Sequence, residues 1–129
     1  MTLDPDLARQ SVCDLETIGR VSGQPRRIEI WFAADPARDR IYLLSGGRDR
    51  AHWVLNLRKN PSVRVGIAGR WFSGTAANVE GGPDDGLARR LLAQKYEGWS
   101  GDTDLSGWAR RSLPVAIDLK APGETAPRS

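Results

Sequence analysis

The stretch "RIEIWFAADPARDRIYLLS", residues 27–45, decides the fold class of this chain. The alternation has the period of two that is expected of a β-strand: one face carries Ile28, Ile30 and Phe32, and the other carries Glu29, Trp31 and Ala33. A polar turn, ADPARDR, separates this strand from a second apolar run, IYLLS. Because strands joined by a short turn pair antiparallel, the stretch predicts a β-hairpin.

The rest of the chain extends this pattern into a mainly β domain. Further strands are predicted over 13–19, 62–69, 70–79 and 113–119. Short helices are predicted over 4–12, 51–60, 87–99 and within 102–112. About six antiparallel strands with three to four short helices indicate an α+β fold with an antiparallel barrel core. A parallel, doubly wound sheet fits less well, since several connections are too short for a crossover helix.

Length and composition predict one domain, and nothing in them calls for an oxidising compartment. The 129 residues suit a short N-terminal helix within 1–12, a single domain over 13–119 and a disordered tail over 120–129. One cysteine and one histidine cannot supply an internal disulfide and argue against a zinc site. No signal peptide or membrane span is evident, so we expect a cytoplasmic protein without an integral membrane segment.

The basic residues of the chain are mostly arginine. Of 19 basic residues 16 are arginine, whose planar fork of donors matches phosphate and carboxylate groups. A GC-rich genome would give the same bias, so composition alone does not identify a ligand. The net charge of +3 is too small for a surface that tracks a nucleic acid backbone.

Three of these arginines flank one tight turn, "GRVSGQPRR", residues 19–27. Arg20 precedes the turn, Arg26 and Arg27 follow it, and Ser22 lies within it. Backbone N–H groups, a hydroxyl and guanidinium forks are what a phosphate or carboxylate site requires. A solvated hairpin turn whose arginines face water would explain the spacing equally well.

A second candidate site is "SGGRDRAHWVLNLRKNP", residues 45–61. Here a strand leads through two glycines into a helix, and helix N-termini favour anions. Trp53 and Asn56, three residues apart, suit a planar ligand that forms hydrogen bonds, although Trp53 in the core is the alternative. With His52 as the single histidine no catalytic triad is available, so in an enzyme a cofactor would carry the reactivity.

A third candidate is the segment "YEGWSGDTDLSGW", residues 96–108, which contains Tyr96, Trp99 and Trp108. Aromatic residues around a glycine-rich loop are typical of a mobile pocket wall. A packed satellite cluster explains the same spacing.

Four segments together resemble a known family: TIGRVSGQPRRIEIWF, IYLLSGG, HWVLNLRKNPSVRV and WARRSLPVAIDL. Over residues 14–119 the chain resembles the deazaflavin-dependent nitroreductases of actinobacteria, which bind coenzyme F420 on a split β-barrel. The resemblance implies an oxidoreductase that transfers a hydride from the reduced deazaflavin to a quinone, an enone or a nitroaromatic. The alternatives on the same fold are an FMN-binding reductase and a non-catalytic deazaflavin carrier. A homodimer is the protein partner that the resemblance implies.

The resemblance also assigns site residues by position. The implied cofactor contacts are Arg20, Val21, Ser22, Arg26, Arg27, Ile28, Trp31, Leu44, Ser45, Gly46, His52, Trp53 and Asn56. Tyr96 and Trp99 would line the substrate pocket, and Ser45 and Tyr96 are the candidate proton donors; no metal is implied.

Three features depart from the family pattern. Val21 stands where a basic residue is common, and Glu29 puts a negative charge in a strand expected to face an anion. The loop after Gly46 is short, so Arg48 or Arg50 would replace a missing lysine.

Overall fold

The computed structural model describes residues 3–120, which form one seven-stranded antiparallel sheet, four α-helices and a 3₁₀ turn. The strands are β1 (Cys13–Ile18), β2 (Pro25–Ile30), β3 (Ala33–Ala34), β4 (Arg40–Ser45), β5 (Ser62–Ile67), β6 (Arg70–Asn78) and β7 (Leu113–Leu119). The helices are α1 (Pro5–Ala8), α2 (His52–Lys59), α3 (Asp85–Glu97) and α4 (Gly107–Arg111), and the 3₁₀ turn is Arg48–Arg50. The strand order is β2-β1-β5-β6-β7-β4-β3. The α+β, mainly β class is confirmed.

The stretch 27–34, predicted as one strand, is two strands at opposite edges of the sheet. β2 pairs with β1, whereas β3, which follows Trp31 and Phe32, pairs with β4. Only β3 therefore forms the predicted hairpin, and the sheet has seven strands rather than about six. Three Cα–Cα steps between β2 and β3 span at most about 11 Å, so the sheet must curl until its edges meet. Since β2 and β3 are edge strands that do not pair with each other, the sheet is a curled, half-barrel arrangement.

The main core lies on the inner face of the curled sheet. Leu15 and Ile117 are fully buried there, and Phe32 lies in the same cluster. Ile28 and Ile30 of β2 pack against it. The alternation predicted for this segment is therefore confirmed, although the strand is interrupted before Phe32.

A second, smaller core lies on the opposite face of the β4–β7 half, where α3 covers the sheet. Tyr42 and Leu44 of β4 pack there with Ala88 and Leu92 of α3. Helix α3 thus shields one half of the outer face, and its last turn contacts Trp31 and Phe32, which join β2 to β3.

The ends of the described chain add two observations. Helix α1 begins at the predicted place, where the Asp4 carboxylate accepts a hydrogen bond from the backbone N–H of Asp6. Apart from Lys120, the predicted tail lies outside the described residues. Within 3–120, no helix has the length and apolar character needed to cross a bilayer.

Candidate cofactor site

A groove of about 490 Å³ opens between the β1–β2 turn and the beginning of α2. Its lining residues are Thr17, Gly19, Arg20, Val21, Ser22, Arg26, Arg27, Ile28, His52, Trp53 and Asn56. The structure thus brings together all the predicted residues of the turn and of α2. Among the residues described, the lining contains three arginines and no carboxylate. Such a charge distribution attracts anions.

The turn at the rim of the groove depends on two glycines. The Gly19 N–H donates to the Gln24 carbonyl at 2.8 Å, and the Gly23 N–H donates to the Gly19 carbonyl at 2.9 Å. Gly23 has φ +71°, and a Cβ on Gly19 would lie 2.7 Å from Ser22 Oγ. Both positions therefore require glycine, which fixes the turn and places its flanking arginines on the same groove.

Arg20 ties the turn to α2. Its backbone N–H and its Nη1 donate to Asn56 Oδ1, at 3.1 and 2.9 Å. Its Nη2 lies 3.1 Å from Nδ1 of His52, which must be the acceptor because a guanidinium only donates. Asn56 Nδ2 in turn donates to Thr17 Oγ1 of β1 at 3.1 Å. Arg20 and Asn56, both predicted to bind the cofactor, bond to each other and fix the groove wall.

Arg26 is the groove arginine with the least engaged guanidinium. It lies opposite Thr17 in the β1–β2 pairing and so shares the face of Thr17. Within residues 3–120 its guanidinium makes one long hydrogen bond, from Nη2 to Ser22 Oγ at 3.4 Å. Its donors are available to a bound anion.

Arg27 lines the groove, but its guanidinium points to the opposite face of the sheet. It donates to Glu16 at 3.1 Å and lies over the Trp71 ring at 4.6 Å from the centroid. Glu29 is two residues further along β2 and therefore shares this outer face. The negative charge of Glu29 is thus directed away from the groove.

The first turn of α2 provides backbone donors. Its N-cap residue, Ala51, has no side-chain acceptor for the first N–H groups of the helix. His52 and Trp53 of this turn line the groove. The helix dipole adds partial positive charge at the same place, which favours an anionic group.

Trp31, Leu44 and Gly46 lie outside the groove, around a separate aromatic cluster of Trp31, Tyr96 and Trp108. The rings of Trp31 and Tyr96 stack with centroids 4.3 Å apart and planes 3° from parallel. Trp108 meets Trp31 edge-on at 5.5 Å. Leu44, Tyr96 and Trp108 belong to the second core, and Gly46 approaches Trp108 Cδ1. Trp31 keeps 46% of its surface exposed.

The two predicted proton donors make hydrogen bonds to the backbone. Ser45 Oγ donates to the Arg48 carbonyl at 2.9 Å. Tyr96 Oη accepts from the Phe32 N–H at 3.0 Å and lies 2.8 Å from the Ser11 carbonyl. Burial raises the pKa of Tyr96 above its usual range. Both hydroxyls thus hold backbone segments in place, and their catalytic role stays a prediction.

Trp99 lies apart from the groove and from the aromatic cluster. Its Nε1 donates to the Thr103 carbonyl at 2.8 Å, and it lines a different, open cavity with Arg90 and Arg110. The predicted placement of Trp99 beside Tyr96 in one pocket therefore has no support from the geometry.

Thr17 lines the groove, although the sequence did not lead us to predict it as a site residue. The signal was a polar residue on the apolar face of β1.

The family model described as "F420H(2)-dependent quinone reductase" matches residues 5–120. The chain belongs to this family. The name of the family specifies the reduced deazaflavin as cofactor, which supports coenzyme F420 and gives no support to FMN.

Solved structures similar to this family member share its fold. One is a conserved hypothetical protein of Mycobacterium tuberculosis, with TM-score 0.74 and 23% identity over 89% of this chain and 77% of that chain. Another is described as an F420-H2 dependent reductase, with TM-score 0.62 and 22% identity over 85% and 94%. A third is described as a domain-swapped dimer, with TM-score 0.62 and 22% identity over 92% and 82%.

Proposed function

We propose that this protein is a reductase that transfers a hydride from reduced coenzyme F420 to an electron-poor planar molecule, with a quinone as the first candidate. The observation that carries the proposal is the groove, whose described lining has no carboxylate and includes Arg26, a guanidinium with available donors. In the family, the cofactor has a phosphate and an oligoglutamate tail, so its anionic part fits this lining. When bound, the cofactor supplies the hydride; a proton completes the two-electron reduction of a quinone to a hydroquinone.

Arg26 and the first turn of α2 are the proposed contacts of the anionic tail. Arg26 has donors available, and the N–H groups after Ala51 lack a side-chain cap. Arg20 acts as a positioning residue, because its guanidinium is engaged by Asn56 and His52. A guanidinium bond to an anionic oxygen contributes about 1.5–3 kcal/mol, so one available arginine has a measurable effect on affinity.

The deazaflavin ring is proposed to lie along His52 and Trp53, bordered by the glycines that follow β4. Trp53 packs against the main core and so offers a fixed aromatic surface. Gly46 and Gly47 carry no side chain, which allows a ring to approach their backbone closely.

The aromatic cluster is the proposed surface for the acceptor. Trp31 is held flat against Tyr96 and is half exposed, so it presents a rigid apolar plane for an aromatic acceptor. Gly46 lies against Trp108 on one side and leads to His52 on the other. Quinones, enones and nitroaromatics share the required shape and electron deficiency. Ser45, Tyr96 and solvent are the proposed sources of the proton.

The test is a parallel titration of the purified protein with oxidised coenzyme F420, FMN and FAD, monitored by tryptophan fluorescence. We expect micromolar binding of coenzyme F420 and much weaker binding of both flavins. Turnover with reduced coenzyme F420 is then measured on menadione, cyclohexenone and a nitrofuran. Binding without turnover on any of them would indicate a carrier, and tighter binding of FMN than of coenzyme F420 would overturn the assignment.

The homodimer implied by the resemblance is part of the proposal. A fold relative is described as a domain-swapped dimer, which supports testing it. Sedimentation equilibrium with and without coenzyme F420 measures the state directly, and a monomer at both conditions would rule out this partner.

A further inference from the structure

The glycine loop, residues 46–50, connects β4 to α2 and contains a strained residue. Arg48 has φ +53°, a left-handed conformation that residues other than glycine adopt only where their surroundings hold them in it. The sequence Gly46-Gly47 directly before it would otherwise make this loop one of the most adaptable segments of the chain. Some contact must therefore hold Arg48.

The contacts of Arg48 come from three separate elements. Its Nη2 donates to both carboxylate oxygens of Glu80, at 2.7 and 2.6 Å. Its Nη1 donates to the carbonyl of Arg111 at the end of α4, at 2.6 Å. Its own carbonyl accepts from Ser45 Oγ at 2.9 Å. Glu80, which follows β6, also lies 3.6 Å from Arg89.

These contacts engage Arg48 elsewhere than in the role that the sequence resemblance gave to Arg48 or Arg50. As a substitute for a missing lysine it would have to direct its guanidinium to the cofactor tail. Instead Nη2 is bound to the Glu80 carboxylate and Nη1 to the Arg111 carbonyl, so both ends of the guanidinium are committed to the protein, and Arg48 does not line the groove. A charge-assisted bond from one nitrogen and a backbone bond from the other fix the orientation of the guanidinium, which suits a device that holds a loop.

The position of the loop gives this device a consequence for the reaction. A Cβ on Gly46 would lie 4.0 Å from Cδ1 of Trp108 in the aromatic cluster, and His52, just after the loop, lines the groove. The loop therefore borders both the proposed cofactor site and the proposed acceptor surface. A displacement of about 1 Å between reacting groups can lower a rate by as much as 100-fold.

We propose that the Arg48–Glu80 ion pair is a positioning device that fixes the glycine loop so that the cofactor and the acceptor meet at reacting distance. The inference rests on the proposed function, since it needs both ligands. Neither residue contacts a ligand; both act through the backbone of Gly46 and Gly47.

The experiment compares Glu80→Gln and Arg48→Gly with Asp118→Asn as the matched control. Glu80→Gln removes the carboxylate charge of the pair. Arg48→Gly removes the guanidinium and leaves a residue for which the left-handed backbone at this position is favourable. Asp118→Asn breaks another arginine–carboxylate pair, the bidentate pair with Arg40, in a different part of the sheet. The readouts are the Kd for oxidised coenzyme F420, amide exchange of residues 46–50, thermal unfolding, and kcat and KM on menadione.

We expect both loop variants to lose amide protection at 46–50 and to lower kcat/KM by about tenfold or more, with weaker cofactor binding. Asp118→Asn should match the wild type in all of these. A kcat/KM and a Kd within about twofold of the control, despite faster loop exchange, would overturn the inference alone. A wild-type protein that binds no coenzyme F420 would overturn the proposed function and this inference with it.

Discussion

The β3–β4 hairpin and the groove use the same residue type in opposite ways. In the hairpin, Arg38 donates to Asp35 at 2.8 Å and to Asp84 at 2.9 Å. Arg40 donates to Asp84 at 2.6 Å and to Asp118 at 2.7 Å. Each guanidinium there is neutralised by carboxylates, and the network joins the hairpin to the beginning of α3.

In the groove, the two arginines whose guanidinium groups stay on its face meet neutral partners. Arg20 contacts Asn56 and His52, and Arg26 contacts the Ser22 hydroxyl, with no carboxylate at either guanidinium in the described part of the chain. The difference separates arginines that are neutralised by carboxylates from arginines whose charge has no carboxylate partner within the described residues. It also explains why an arginine-rich composition by itself could not identify the site: the pairing partners decide the role.

The largest expected effect is a loss of stability from Asp35→Ala. Asp35 is 3% exposed and accepts from Tyr42 Oη at 2.6 Å and from Arg38. Its removal leaves the buried Tyr42 hydroxyl without its acceptor and takes from Arg38 one of its two carboxylate partners, which we expect to cost about 3 kcal/mol of unfolding free energy. Urea denaturation measures the cost.

Asp118→Asn is the matched control for this prediction, since Asp118 is a more exposed partner of Arg40. Its loss should cost no more than about 1 kcal/mol. Equal costs for the two variants would contradict the view that the hairpin network derives its strength from burial. The groove should be unaffected in both variants, with an unchanged Kd for coenzyme F420.

The next effect, on affinity, distinguishes Arg26 from Arg27. Arg26→Ala removes available donors from the groove and should weaken coenzyme F420 binding by about 1.5–3 kcal/mol, with little change in stability. Arg27→Ala should weaken binding less, because the guanidinium that it removes is bound to Glu16 on the other face of the sheet. Fluorescence titration of both variants measures the difference. Equal losses of affinity would show that the Arg27 guanidinium leaves Glu16 and turns into the groove when the ligand binds.

A smaller effect, on both properties, is expected from Arg20→Ala. Because Arg20 holds the turn on α2 through Asn56, its loss should reduce stability by about 1 kcal/mol and weaken the cofactor complex as well. Arg20→Lys keeps the charge but not the fork, so it should restore little. Urea denaturation and titration are compared for the two variants. Full affinity in Arg20→Lys would mean that Arg20 acts on the ligand as a charge.

Local features of the site could be predicted from the sequence, and distant contacts could not. The turn at Gly19 and the beginning of α2 depend on neighbouring residues, so both could be located from the sequence, and the structure brings their residues to one groove. The bond between Arg20 and Asn56 joins residues 36 positions apart, and no local pattern reveals it. The alternation with Ile28, however, was sufficient to place Arg27 and Glu29 on the outer face.

Prediction of the fold from the sequence was limited in the same way. The alternation from Ile28 to Phe32 continues without interruption, so the break between β2 and β3 leaves no signal in the sequence. The break arises because a curled sheet must pass its chain from one edge to the other. Such closure is a property of the whole sheet and not of the segment.

The last and smallest expected effect is on the labelling rate of the Cys13 thiol, which distinguishes global unfolding from a local change in the groove. Cys13 is 1% exposed, lies opposite Ile30 at the end of β2, and has its pKa raised by burial to about 12 from 9.0. At pH 8 it should therefore react with a thiol reagent such as DTNB only on unfolding. Asp35→Ala should accelerate labelling, whereas Arg26→Ala should leave the rate at its wild-type value.

The same shift fixes the sign of a pH dependence. Between pH 9 and about 12 the native thiol binds more protons than the unfolded one, so unfolding free energy should fall as the pH rises through this window. Cys13→Ala should flatten that fall relative to the wild type. If labelling at pH 8 proceeds as fast in the folded wild type as in urea, Cys13 does not lie in the core beside β2. The labelling rate of Cys13 would then not distinguish the hairpin variant Asp35→Ala from the groove variant Arg26→Ala.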